Sequence, residues 1–88
     1  MKSSAKQSVN EELIKLANRL ESLRLKKGIS QDDLAYKSEV SRSLMYNYLR
    51  GKTNISYENL VRIIRLGLEV TIVEFFSEGF DKPSKKGQ

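Results

Sequence analysis

Eighty-eight residues, 39% of them hydrophobic, supply enough apolar side chain for one modest core, so a single small domain is expected, and a partner subunit would help it. The chain has neither Cys nor His, which removes disulfides, thiolate chemistry, Cys/His metal sites and imidazole acid–base catalysis together. A formal net charge of +5 suits a polyanionic partner, and nothing in the composition asks for a cofactor.

Residues 1–7, MKSSAKQ, are small and polar with two lysines, and read as a flexible N-terminal arm. The stretch MKSSAKQSVNEE has no apolar h-region, and no apolar run approaches the roughly 20 residues of a membrane span; a cytoplasmic protein is expected. Ser8 then opens an S-x-x-E capping box with Glu11, and Leu13, Leu16, Ala17, Leu20 and Leu23 form one apolar stripe. The pattern predicts a first helix from Ser8 to about Lys27, with Gly28 as the residue just past its end. Arg24, Lys26 and Lys27 in its last turn complement the helix dipole or reach phosphate.

Two short helical patterns follow across a four-residue break. Ser30 is a good N-cap, Asp32 and Asp33 place negative charge in the first turn, and Leu34 and Ala35 face inward, predicting a helix from Gln31 to Ser38. Ile29 bridges it to the first helix. Gln31, at the exposed first turn, has an amide that can bind a phosphate oxygen beside the free backbone N–H groups. After Ser38-Glu39-Val40-Ser41, Ser41 caps a third helix over 42–50. Leu44 or Met45, Tyr48 and Leu49 recur there at helical spacing before Gly51 ends it. From Ser41 to Lys52, Arg42, Arg50 and Lys52 face no acidic residue. A short basic helix with a polar outward face is what entry into a DNA major groove requires.

Within that helix Arg42 can present two donors to guanine O6 and N7, and Asn47 can read adenine or meet a phosphate. Tyr46 and Tyr48 cannot both point outward. Tyr48 is assigned to the core and Tyr46 to the DNA face, where either ring contact with a thymine methyl or a phosphate bond is open. Lys52-Thr53-Asn54 then forms a polar loop, and Ser56 caps a fourth helix. Leu60, Ile63 and Ile64 give that helix an inward face until Gly67 stops it, and Tyr57 at its start packs or touches phosphate.

Thr71 and Glu74 form a second capping box that starts a short fifth helix. Leu66, Leu68, Val70, Ile72, Val73, Phe75, Phe76 and Phe80 crowd into fifteen positions, too many for one small core to cover. Leu68, Val70 and Ile72 are expected to close the bundle. Val73, Phe76 and Phe80 are left for the interface with a two-fold-related copy, making a homodimer. Residues 81–88 read as a flexible tail, and 8–80 as one all-α, five-helix domain.

Ile29-Ser30-Gln31 with Leu34-Ala35, then Val40-Ser41-Arg42-Ser43, then Arg50-Gly51-Lys52, resembles the lambda-repressor and Cro type of helix-turn-helix domain, the XRE family, over residues 13–76. DLAYKS and LGLEVTIVEFF are similar to the controller proteins of restriction-modification systems. The resemblance implies a DNA-binding transcriptional regulator, of repressor or controller type, that reads a palindromic operator as a dimer. It implies base contacts from Arg42, Ser43, Tyr46 and Asn47, phosphate contacts from Gln31, Arg50, Lys52 and Asn54, and core positions at Leu20, Leu34, Ala35, Val40, Met45 and Tyr48.

Two positions depart from the family pattern. Glu39 stands where the turn usually has glycine, which costs roughly 1 kcal/mol if the backbone there is left-handed. Leu49 stands where a glutamate often pairs with the residue at the Arg24 position, so Arg24 needs another partner, water or phosphate. The alternative function is an antitoxin-type module that binds a toxin partner and autoregulates its operon. Catalysis is not expected, because Asp32-Asp33 and Glu11-Glu12 are both explained by first-turn electrostatics. RNA binding is disfavoured by the lack of a sheet with exposed aromatics or a GXXG loop.

Overall fold

Helix starts in this chain are set by short polar caps. Ser30, Ser41, Ser56 and Thr71 each sit in extended backbone, and each side-chain oxygen accepts the N–H three residues on, at 3.0–3.2 Å. A computed structural model describes the backbone of residues 2–80 and the side chains of residues 9–80. It contains α1 (Lys2–Lys27), α2 (Gln31–Ser38), α3 (Arg42–Leu49), α4 (Tyr57–Val61, continued by a π-helical turn over Arg62–Gly67) and α5 (Ile72–Phe75). The all-α, five-helix architecture is as expected, with no strand among the described residues. No helix among them is long and apolar enough to cross a membrane.

The core forms where the apolar stripes meet. Leu20 of α1, Leu34 of α2, Met45 of α3, Ile63 and Ile64 of the π turn, Leu68 and Phe75 are fully buried. Each such side chain contributes about 1.5–3 kcal/mol relative to exposure. Ala35, Val40 and Tyr48 are buried too, and Ile29 and Ile72 pack against the cluster from its edge.

One expected boundary is corrected. α1 starts at Lys2, so Ser8 lies inside the helix and not at its start. Residues 2–7 contain no Gly or Pro, and Ala5, the lysines and Gln7 are good helix formers; extending an existing helix adds a hydrogen bond per residue without a new nucleus. The boundary expected between an arm at 1–7 and the domain at 8 is thus not an element boundary; Met1 and the tail at 81–88 lie outside the described residues. The fourth helix ends at Gly67 as expected, though Gly67 itself is not left-handed. That conformation falls on Glu69, at φ 61°. Glycine is required at 67 for closeness, since a Cβ there would collide with Ser38 Oγ and lie 2.7 Å from Leu34 Cδ1. The π turn therefore seats α2 at backbone range, and α2 in turn supports α3.

Candidate nucleic-acid interface

The turn between α2 and α3 closes as a left-handed cap. Glu39 lies at φ 61°, ψ 42°, and its N–H donates to Tyr36 O while Val40 N–H donates to Ala35 O at 3.0 Å. The family's glycine position is indeed left-handed here, with a glutamate in it. Val40 is buried just past the turn, and Arg62 Nη1 donates to the Glu39 carbonyl at 3.4 Å. The angle of α3 is thereby set by a cap, an anchor and a brace.

Along α3, Met45, Tyr48 and Leu49 point inward, and Tyr48 Oη accepts from Asn59 Nδ2 at 2.9 Å. Arg42, Ser43, Leu44, Tyr46 and Asn47 point outward, as does Arg50 at the cap. The open choice between Leu44 and Met45 falls to Met45 as the core residue; Leu44 joins the outward face, which its apolar character had concealed. Lys52 and Asn54 are exposed on the following loop, and Gly51, at φ 71°, turns the chain close to Ile14 and Ala17 of α1. All four residues expected to contact bases are therefore exposed on α3, and Arg50, Lys52 and Asn54, which follow it in the chain, are exposed too. Tyr57 is also exposed, which removes its packing alternative.

Gln31 is only half exposed, and its Nε2 donates to Glu21 Oε2 at 3.4 Å. The same glutamate takes Arg24: Nη2 to Oε1 at 2.8 Å and Nε to Oε2 at 3.1 Å, while Arg24 Nη1 donates to the Ile29 carbonyl at 2.7 Å. Of the alternatives left open for Arg24, another partner, water or phosphate, the structure shows another partner, Glu21, one turn back on α1. The hydrogen bond to Glu21 and, less, its charge hold the Arg24 guanidinium above its ordinary pKa against the opposing effect of burial.

One acidic residue sits in this basic surface. Asp32 of α2 accepts from Arg42 Nη1 at 3.3 Å and from Tyr46 Oη at 2.7 Å. The bond to Asp32 is the main reason that the Tyr46 phenol is held above its ordinary pKa. Sequence reading explained Asp32 by the helix dipole alone; a carboxylate one turn from the cap of the preceding helix was the available signal.

Toward the C-terminal end of the fold, Val73 is 81% exposed, Phe76 41% and Leu66 46%. Phe80 is half buried, its ring 4.9 Å from that of Phe76. Val73 and Phe76 stand open as expected, Phe80 only partly so, and Leu66 is exposed as well. Among the described residues no group of three or more His, Cys, Asp or Glu is arranged to hold a metal ion.

Residues 15–74 match the family model of a helix-turn-helix domain. The structure is similar to that of the wild-type restriction-modification controller protein C.Esp1396I, which is 39% identical, with 73% of this chain and 82% of that chain covered and a TM-score of 0.69. The restriction-modification controller protein C.AhdI from Aeromonas hydrophila is 35% identical, with 75% and 98% covered and a TM-score of 0.70. A third similar structure is the C.Esp1396I tetramer in complex with its natural 35 base-pair operator, 39% identical, with 73% and 83% covered and a TM-score of 0.69. No curated protein sequence matches the chain.

Proposed function

The chain belongs to the helix-turn-helix family of restriction-modification controller proteins, and on that footing we propose that it is a cytoplasmic, sequence-specific, double-stranded DNA-binding transcriptional regulator that acts as a homodimer and not as an enzyme. The observation that carries this reading is the surface of α3. A rigidly anchored helix turns Arg42, Ser43, Leu44, Tyr46 and Asn47 to solvent, and basic and polar groups flank it at Arg50, Lys52 and Asn54.

Arg42, next to the N-cap, offers a fork of donors to guanine, and Asn47 an amide to adenine. Leu44 supplies an apolar contact suited to a thymine methyl. Gln31, Arg50, Lys52 and Asn54 hold phosphate oxygens and so fix register without carrying base identity. One short helix reads only a few base pairs. Two of them, roughly 34 Å apart across a dimer, read a palindrome from one face of the duplex. Val73, Phe76 and the rim of Phe80 supply the apolar surface that such a dimer would cover.

Selection of bound sites from random duplex DNA, followed by footprinting, tests this. It should return a symmetric site whose half-sites are centred about one helical turn, or a small multiple of it, apart. No enrichment over the starting pool would refute it, and stoichiometric co-purification of a second small protein that abolishes DNA binding would point to the antitoxin-type module.

A further inference from the structure

Two of the α3 side chains assigned to base contact, Arg42 and Tyr46, are held by one carboxylate that α3 does not carry. Asp32 stands in the first turn of α2, and it divides its oxygens between them: Oδ2 accepts from Arg42 Nη1 at 3.3 Å, and Oδ1 accepts from Tyr46 Oη at 2.7 Å. We infer that Asp32 is a positioning residue that aims Arg42 and Tyr46 into the groove as one unit, and so sets base discrimination more than overall affinity. The inference rests on the reading of α3 as the recognition helix.

Folding does not explain the arrangement. The Arg42 and Asp32 side chains are 68% and 50% exposed, and exposed ion pairs contribute little to stability. Plain DNA affinity does not explain it either, because duplex DNA carries a negative charge about every 1.7 Å and a carboxylate beside it is repelled. Asp33, the adjacent carboxylate, makes no side-chain hydrogen bond or ion pair among the described residues and is accounted for by the N-terminal dipole of α2. What Asp32 does add is direction. An unheld arginine can swing to any nearby phosphate. Held by one nitrogen, Arg42 keeps Nε and Nη2 without partners among the described residues, and these present the edge that guanine O6 and N7 require.

The bond to Tyr46 settles which part of that residue is offered. Its hydroxyl has one proton, given to Asp32, and a phosphate oxygen only accepts. While held, Tyr46 therefore cannot donate to phosphate and presents its ring, which suits a thymine methyl. A register shift that brings the DNA backbone toward Asp32 is opposed by charge, so the same carboxylate discourages misplaced docking.

A double-mutant cycle of Asp32→Asn and Arg42→Ala, in the full chain, tests the inference on the selected operator, its single-base variants and random duplex at one salt concentration. Asparagine keeps the shape at 32 and removes the charge, and thermal melting confirms that each variant is folded. Asp32→Asn should lower the operator-to-random affinity ratio about tenfold, with the loss concentrated at the base pair read by Arg42. In the Arg42→Ala background the same change should alter the ratio by no more than about twofold, the margin within which independent changes add. Asp33→Asn should leave the ratio unchanged. The inference is overturned if Asp32→Asn acts equally on every duplex, equally in both backgrounds, or no more than Asp33→Asn. If Arg42→Ala removes a base preference that Asp32→Asn leaves intact, only this inference falls; if Arg42→Ala itself leaves every preference intact, the recognition-helix reading falls with it.

Discussion

Arg19 of α1 donates from Nε to the Phe75 carbonyl at 2.7 Å, and so ties the longest helix to the end of the shortest. Its Nη2 donates to the Glu74 carbonyl at 3.0 Å, and its guanidinium lies 5.8 Å from the centre of the Phe75 ring. The Glu74 carbonyl also accepts from the backbone N–H and hydroxyl of Ser77, whereas the Phe75 carbonyl at the end of this four-residue helix is taken by the buried arginine. Arg19→Ala should cost roughly 1.5–3 kcal/mol per charge-assisted bond that goes unreplaced. Chemical denaturation would show this, and a change within about 0.5 kcal/mol, the range of ordinary surface substitutions, would mean that water replaces Arg19 at no cost.

Glu39→Gly should stabilise the protein. Residue 39 lies at φ 61°, which glycine tolerates and glutamate resists by about 1 kcal/mol, while the brace from Arg62 is to the backbone and survives the change. Glycine's greater freedom in the unfolded chain offsets part of the gain, so a rise of a few degrees in Tm is expected. A lower Tm would show that the turn relaxes around glutamate without strain.

Gly67→Ala should destabilise by roughly 1–3 kcal/mol through overpacking against Ser38 and Leu34. Ser38→Ala should do the opposite, because the Ser38 hydroxyl is buried without a hydrogen-bond partner among the described residues and its loss removes a desolvated polar atom. Together the two changes should cost less than the sum of the single effects. Strict additivity in denaturant midpoints would deny their contact.

The parts legible in the sequence are those that local rules decide. The caps at Ser30, Ser41, Ser56 and Thr71 need only the next three residues, and the core positions Leu20, Leu34 and Ile64 follow from helical spacing. What was not legible depends on groups far apart in the chain. Asp32 meets Tyr46 fourteen residues on, and Arg19 meets Phe75 fifty-six residues on; no spacing rule selects either pair. Gly67 was legible as a helix end, but not its second use: glycine also serves close approach, and only the packing of α2 reveals that. Leu44 was obscure because one apolar residue adjacent to Met45 fits either face of a short helix.

Val73→Asp and Phe76→Asp should each give a folded monomer with much weaker operator binding. Val73 is almost fully exposed, so aspartate there costs the monomer little, but in a dimer it would be buried unpaired. Sedimentation reads this directly. An unmodified chain that stays monomeric at tens of micromolar, and on DNA, would remove the two-fold arrangement.

The most direct test of base reading by α3 compares Arg42→Ala and Lys52→Ala on the selected operator, its single-base variants and random duplex across a salt series. Arg42→Ala should cost roughly 1–3 kcal/mol on the best site and flatten the preference at one base pair per half-site. Lys52→Ala should weaken all duplexes alike and reduce the salt slope by about one unit. Arg42→Ala weakening every duplex equally, with all base preferences retained, would contradict the assignment of α3 as the element that reads sequence.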